Sequence, residues 1–194
     1  MFLKENGGKI FKTFGFSMVL SIFGFMLFMA TIKNPALLVV GFAVMLCCYL
    51  YLMYEPMWQL GGNDKLSPTA KGFSAKGLVI MIVAFLPAAV LTLLCIIIPP
   101  TAITIGEVTD YNWTYALFQI IRLLFHGIYV GIVQYLLPFS SDAGNISNLA
   151  LQPIFLFISL IPGILAGALG YFLGYREKTL RGIFGIKVTP KKNT

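Results

Sequence analysis

Residues 78–98 read LVIMIVAFLPAAVLTLLCIII, a run with no charged side chain and no polar face. Its length matches the roughly 20 helical residues needed to cross a ~30 Å hydrocarbon core. A helix that is apolar all round belongs inside a large protein or inside a bilayer. Composition decides between the two. Of the 194 residues, 58% are hydrophobic and 11% charged, with a mean hydropathy of +0.87. Soluble domains carry about 25% charged residues. The chain therefore reads as an all-α integral membrane protein.

Four further apolar segments stand at residues 14–32, 36–54, 114–137 and 153–173. The expectation is a single transmembrane domain over residues 1–194. It would be a compact bundle of four to five hydrophobic helices with short basic termini. Lys4, Lys9 and Lys12 resemble the basic region of a signal peptide, but the segment behind them is long and lacks a small-x-small cleavage site. It reads as an uncleaved first span. Lys33, Asn34 and Pro35 leave room only for a tight antiparallel corner. Pro99 and Pro100 close the third segment, Pro138 closes the fourth, and Pro153 opens the fifth. Residues 55–77, with Gly61, Gly62 and Pro68, read as the longest loop.

The basic residues set topology. If all five segments crossed, Lys and Arg outside them would divide six against seven, which gives the positive-inside rule nothing to act on. If the fourth segment enters without crossing, the N-terminus, the second loop and the tail share one side. Twelve basic residues then face one, Lys33. This predicts four crossings, both termini cytoplasmic, and a fourth segment that is re-entrant or interfacial. The localisation expected is the cell membrane, multi-pass, with anionic lipid at the basic tail containing Arg176, Lys178, Arg181, Lys187, Lys191 and Lys192. The excess of basic residues flanks apolar runs, so nucleic acid is not the expected partner.

The fourth segment alone carries a charge. Tyr115, Gln119, Arg122, His126 and Tyr129 recur at spacings of four and three residues, which at ~100° per residue groups them on one helix face. Gln134 lies further along. A charge at mid-bilayer costs at least ~2.5–3.5 kcal/mol on insertion scales, so such a residue is paired, hydrated or functional. Two readings stand side by side. In one, the stripe lines a polar cavity in which Arg122 holds a phosphate, a carboxylate or a lipid headgroup and His126 titrates or donates. In the other, the helix lies partly inserted, with Arg122 and His126 toward water or headgroups and Leu123, Leu124 and Ile128 toward acyl chains. Burial of Arg122 against Glu107, Asp110 or Asp142 would favour the first.

A second pattern is Gly163, Gly167, Gly170 and Gly174, a ridge on the fifth segment, with Gly127 and Gly131 as a smaller patch on the fourth. Glycines in this register let helix backbones touch. The expected contact for the ridge is the fourth segment or a partner chain, including a second copy.

Catalytic chemistry finds no foothold. With a single histidine, HExxH and multi-histidine metal sites are excluded, and no Walker loop or GxSxG elbow occurs. Ser140, Ser141 and Asp142 could recruit only His126. Cys47, Cys48 and Cys95 sit in apolar runs without ligand spacing. Asn112-Trp113-Thr114 and Asn145-Ile146-Ser147 have the glycosylation pattern and fall in loops expected outside. No cofactor and no metal are expected, and a non-enzyme is favoured. The function expected is a transport-related membrane component binding an anionic lipid or small solute; the alternative is a non-catalytic assembly or regulatory protein acting through helix contacts.

Overall fold

The computed structural model describes residues 2–66, 75–100, 102–105, 108–111, 113–136 and 146–176. The elements run α1 (Phe2–Thr31), α2 (Pro35–Leu66), α3 (Lys76–Ile97), β1 (Ala102–Ile105), β2 (Val108–Tyr111), α4 (Trp113–Leu136) and α5 (Ile146–Tyr175). All five helices are long and apolar enough to cross a membrane. The third loop adds a small antiparallel hairpin, with Ala102 opposite Tyr111 and Ile105 opposite Val108. An all-helical reading had no place for it, because four-residue strands leave no periodic trace above their surroundings.

The α1–α2 corner is built as its sequence suggests. The Asn34 N–H donates to the Thr31 carbonyl at 2.9 Å. Its Oδ1 accepts from the Ala36 and Leu37 N–H groups at 3.1 and 3.3 Å, capping two donors that α2 would otherwise leave open. Pro35 fills the first helical position, where a missing N–H costs nothing.

Two helix ends differ from expectation. α2 continues through Pro56, Gly61 and Gly62 to Leu66, so much of the segment read as the longest loop is helical. Packing outweighs glycine's weak propensity here: a Cβ at Gly61 would collide with the Tyr171 carbonyl and lie 2.7 Å from the Tyr175 nitrogen. α5 begins at Ile146, so Pro153 lies within the helix and does not open it.

The helix directions follow from neighbouring residues. Gly163, Gly170 and Gly174 of α5 meet Tyr49, Tyr54 and Trp58 of α2 in the same order, so these helices run parallel. α3 runs against α5, with Gly77 beside Tyr171 and Met81 beside Gly167. The expectation that the ridge meets the fourth segment or a partner chain is thereby corrected: three of its glycines face α2 and one faces α3. The second glycine patch meets α1 instead. A Cβ at Gly127 would strike the Ser21 carbonyl, and one at Gly131 would lie 3.3 Å from the Phe28 ring.

One end of the bundle, the base, gathers the start of α1, the end of α2, the start of α3 and the end of α5. Lys9 and Lys12 share a cleft there with Gln59 and Asn63, and Lys76 pairs with Asp64 at 2.7 Å. The opposite end holds the α1–α2 corner. α4 starts and finishes near that opposite end. Trp113, Thr114 and Leu117 share a cleft with Leu94, Cys95 and Ile98 at the end of α3. Further along, Gly127 meets Ser21, a Cβ at Gly24 would lie 2.6 Å from the Ile128 Cα, and Gly131 meets Phe28 and Leu38 beside the corner. Ser21 stands ten residues before Thr31, about 15 Å along α1, so α4 turns back part-way along the bundle.

A bond within α4 agrees. Arg122 donates from a terminal guanidinium nitrogen to Gln134 Oε1 at 3.3 Å. Twelve residues of straight helix advance about 18 Å, farther than these two side chains close even when extended toward each other. α4 is bent, and Ser21 marks a break in its ladder. The Ser21 hydroxyl donates to the Leu123 carbonyl at 3.0 Å and accepts from the Gly127 N–H at 2.5 Å. Those two backbone groups would bond each other in an uninterrupted helix, and a side chain inserted between them is a recognised cause of a kink.

Candidate functional site

The bend carries the polar stripe into the bundle interior. Arg122 is 4% exposed and His126 is 0% exposed, so neither faces headgroups or water as the interfacial reading had it. Ile128 is buried, and Leu123 and Leu124 are half-buried. A helix lying on the membrane surface would show lipid one whole face along its length. Here Ala116, Leu117 and Ile120 are exposed, whereas from Ile121 to Gln134 every residue is buried or half-buried.

Arg122 is gripped by its own helix. Gln119, one turn earlier, accepts a guanidinium N–H at 3.2 Å, and Gln134 accepts another at 3.3 Å. The guanidinium carbon stands 5.5 Å from the centre of the Phe118 ring, where the aromatic face attracts a cation. Phe118 itself is fully buried. Two amide oxygens and one ring thus orient a planar fork of donors, a geometry suited to a carboxylate or phosphate. The side chains of Glu107, Asp110 and Asp142 lie outside the described residues.

His126 forms a separate cluster that joins three helices. Its Nε2 is 2.7 Å from Thr92 Oγ1 on α3, and its Nδ1 is 3.2 Å from Ser159 Oγ on α5. Each hydroxyl also donates within its own helix, Thr92 to the Ala88 carbonyl at 2.8 Å and Ser159 to the Leu156 carbonyl at 2.6 Å. A hydroxyl has one proton, and a neutral imidazole has one N–H. If both hydroxyls keep their backbone bonds, both ring nitrogens must donate. The neutral ring therefore requires one hydroxyl to turn toward it, and the cluster is sensitive to a single proton.

The remaining members of the stripe do not converge on this point. Tyr129 joins an aromatic group with Tyr49 and Phe42, with ring centres 6.1 and 6.4 Å away. Its buried hydroxyl has no hydrogen-bond partner among the described residues. Tyr115 is half-buried near the start of α4. The stripe is thus divided between an arginine cluster, a histidine cluster and an aromatic cluster.

Two features escaped the sequence reading. Thr92 and Ser159 are single hydroxyls in apolar spans, and nothing in their spacing marks them; Ser21 follows Ser17 at helical spacing, and both are buried. At the base, Tyr171 donates to Asp64 at 3.0 Å, completing a buried triad with Lys76. Compared with known proteins, the chain matches no family model, no curated protein and no solved structure. Any functional reading therefore rests on the side chains themselves.

Proposed function

We propose that the chain is a multi-pass protein of the cell membrane with four crossings, cytoplasmic termini and a re-entrant α4. In this reading it serves as a transport-related component that takes an anionic group of a small solute at Arg122. One observation carries the proposal: a 4% exposed guanidinium, oriented by Gln119, Gln134 and Phe118, on a helix whose two ends approach the same end of the bundle. Ionisable residues at membrane depth mark substrate paths, relays or counter-ions. Non-crossing elements at that depth are tolerated where protein buries them or where they line a cavity.

The division of charge supports the orientation, since among the described residues Lys9, Lys12, Lys65, Lys76 and Arg176 stand at the base and Lys33 at the opposite end. The solute would then approach from the non-cytoplasmic side, where α4 enters. The alternative, an assembly protein acting through its glycine ridge, loses support because all four ridge glycines meet α2 or α3 within the chain.

The test is uptake of radiolabelled inorganic phosphate and acetate into proteoliposomes, and their binding in detergent, for wild type, Arg122→Lys and Arg122→Ala. The expected result is a loss of about tenfold or more in both variants, equivalent to at least ~1.4 kcal/mol of binding. Lysine fails because one ammonium does not reproduce the planar fork. Equal binding and uptake by all three proteins would end the reading.

A further inference from the structure

A cleft of about 200 Å³ lies between α1 and α2 at the base, away from the Arg122 cluster. Its lining changes character along its length. Phe16, Leu52 and Met53 form the part nearer the corner; the part nearer the base sets Lys9, Lys12, Gln59 and Asn63 among Met57 and Leu60. Depth along the helices explains the change. Measured from the α1–α2 corner at 1.5 Å per residue, Lys12 stands about 28 Å down and Lys9 about 33 Å down. Gln59 lies about 36 Å down α2, and Leu52 only about 26 Å. The hydrocarbon core is ~30 Å thick. Phe16, Leu52 and Met53 therefore fall at acyl-chain depth, Lys12 near the boundary, and Lys9, Gln59 and Asn63 at headgroup depth.

Both lysines are exposed, and neither forms an ion pair with a carboxylate among the described residues. The Lys12 ammonium stands 5.7 Å from the centre of the Phe16 ring, another lining residue. Gln59 donates to Glu55 at 3.0 Å; Glu55 does not line the cleft. The cleft offers an occupant two ammonium groups toward one end and aliphatic and aromatic surface toward the other.

We infer that this cleft holds an anionic phospholipid of the cytoplasmic leaflet, its phosphate between Lys9 and Lys12 and an acyl chain against Phe16, Leu52 and Met53. Basic residues near a membrane surface attract anionic lipid at ~1 kcal/mol each. The cleft adds shape to that attraction, so retention should depend on these two lysines and not on total positive charge. This site is distinct from any attraction exerted by the basic tail and is independent of what Arg122 binds.

The experiment is native mass spectrometry of the detergent-purified full chain titrated with phosphatidylglycerol, phosphatidylcholine or inorganic phosphate. Wild type should retain phosphatidylglycerol and release phosphatidylcholine. Lys9→Gln/Lys12→Gln should lower phosphatidylglycerol retention about tenfold, the equivalent of ~1.4 kcal/mol. Leu52→Trp, which fills the apolar part without removing charge, should lower it comparably. Lys191→Gln/Lys192→Gln in the tail and Arg122→Ala should leave it unchanged. Undiminished retention by the Lys9/Lys12 double variant, an equal loss from the tail variant, or displacement of the lipid by millimolar-range phosphate would each overturn the assignment.

Discussion

The Ser21 hydroxyl of α1 stands between the Leu123 carbonyl and the Gly127 N–H of α4, bonded to both. This contact does two things together. It satisfies backbone groups that hydrocarbon cannot hydrate, and it fixes the bend that returns α4 toward the end where it entered. Ser21→Ala should let Gly127 and Leu123 bond each other directly, which favours a straighter helix that no longer fits against α1. The expected cost is about 1–3 kcal/mol, the range for disturbing a buried polar group. Thermal unfolding in detergent measures the loss. Amide exchange at Gly127 should quicken if the bend opens, and an unaltered exchange rate would show that Ser21 is not its brace.

Glycine contacts should separate by what they touch. Gly127 and Gly174 meet backbone, the Ser21 and Trp58 carbonyls respectively, whereas Gly167 meets the flexible Met81 side chain. Gly127→Ala and Gly174→Ala must push helices apart, so each should destabilise the bundle by more than 1–3 kcal/mol, the range typical of overpacking. Gly167→Ala should cost less, because Met81 can change rotamer. Equal losses at all three positions, read by unfolding midpoints, would contradict this ordering.

The buried base triad gives a third expectation. Asp64 and Lys76 are each 8% exposed, and Tyr171 donates to the same carboxylate oxygen that Lys76 reaches. Lys76→Met leaves a buried carboxylate without its cation and should cost about 3–5 kcal/mol. Asp64→Leu/Lys76→Met removes both charges and should recover most of that loss, because the desolvation of two ions disappears along with their attraction. If the double variant is no more stable than the single one in chemical or thermal unfolding, the pair is worth more than its desolvation cost.

How far sequence reading reached depends on which physical signal each feature left. Apolar runs are long and carry their own signature, so five segments were legible from hydropathy. The basic residues pointed to an odd path for α4 indirectly, and the bend at Ser21 is consistent with the proposed non-crossing course. Helix ends were not legible. Gly61 and Gly62 are loop residues by propensity, but α5 packs against them and outweighs that preference. Arg122 and His126 were singled out because charge and imidazole are rare at depth. The partners of His126, Thr92 and Ser159, were invisible, since a lone hydroxyl in an apolar helix can bond its own backbone and needs no explanation until the fold brings a ring beside it. The Asp64–Lys76 pair crosses a link, and no helical spacing relates the two residues.

The path of α4 yields the final prediction, which concerns accessibility. Replace Cys47, Cys48 and Cys95 with alanine, then introduce one cysteine at a time at Glu5, Lys33, Trp113, Ser140 and Arg176. Lys33 lies at the α1–α2 corner, and Trp113 opens α4 with 65% of its surface exposed. Ser140 follows α4 in sequence, whereas Glu5 and Arg176 flank the base helices. In right-side-out vesicles, a membrane-impermeant maleimide should label Lys33→Cys, Trp113→Cys and Ser140→Cys together. Glu5→Cys and Arg176→Cys should react only after permeabilisation, because the proposed topology puts the basic base on the cytoplasmic side. The decisive comparison is Trp113→Cys with Ser140→Cys. Labelling of these two positions from opposite sides would mean that α4 crosses, and the polar cluster at Arg122 would then lie on a full span instead of at the floor of a re-entrant helix.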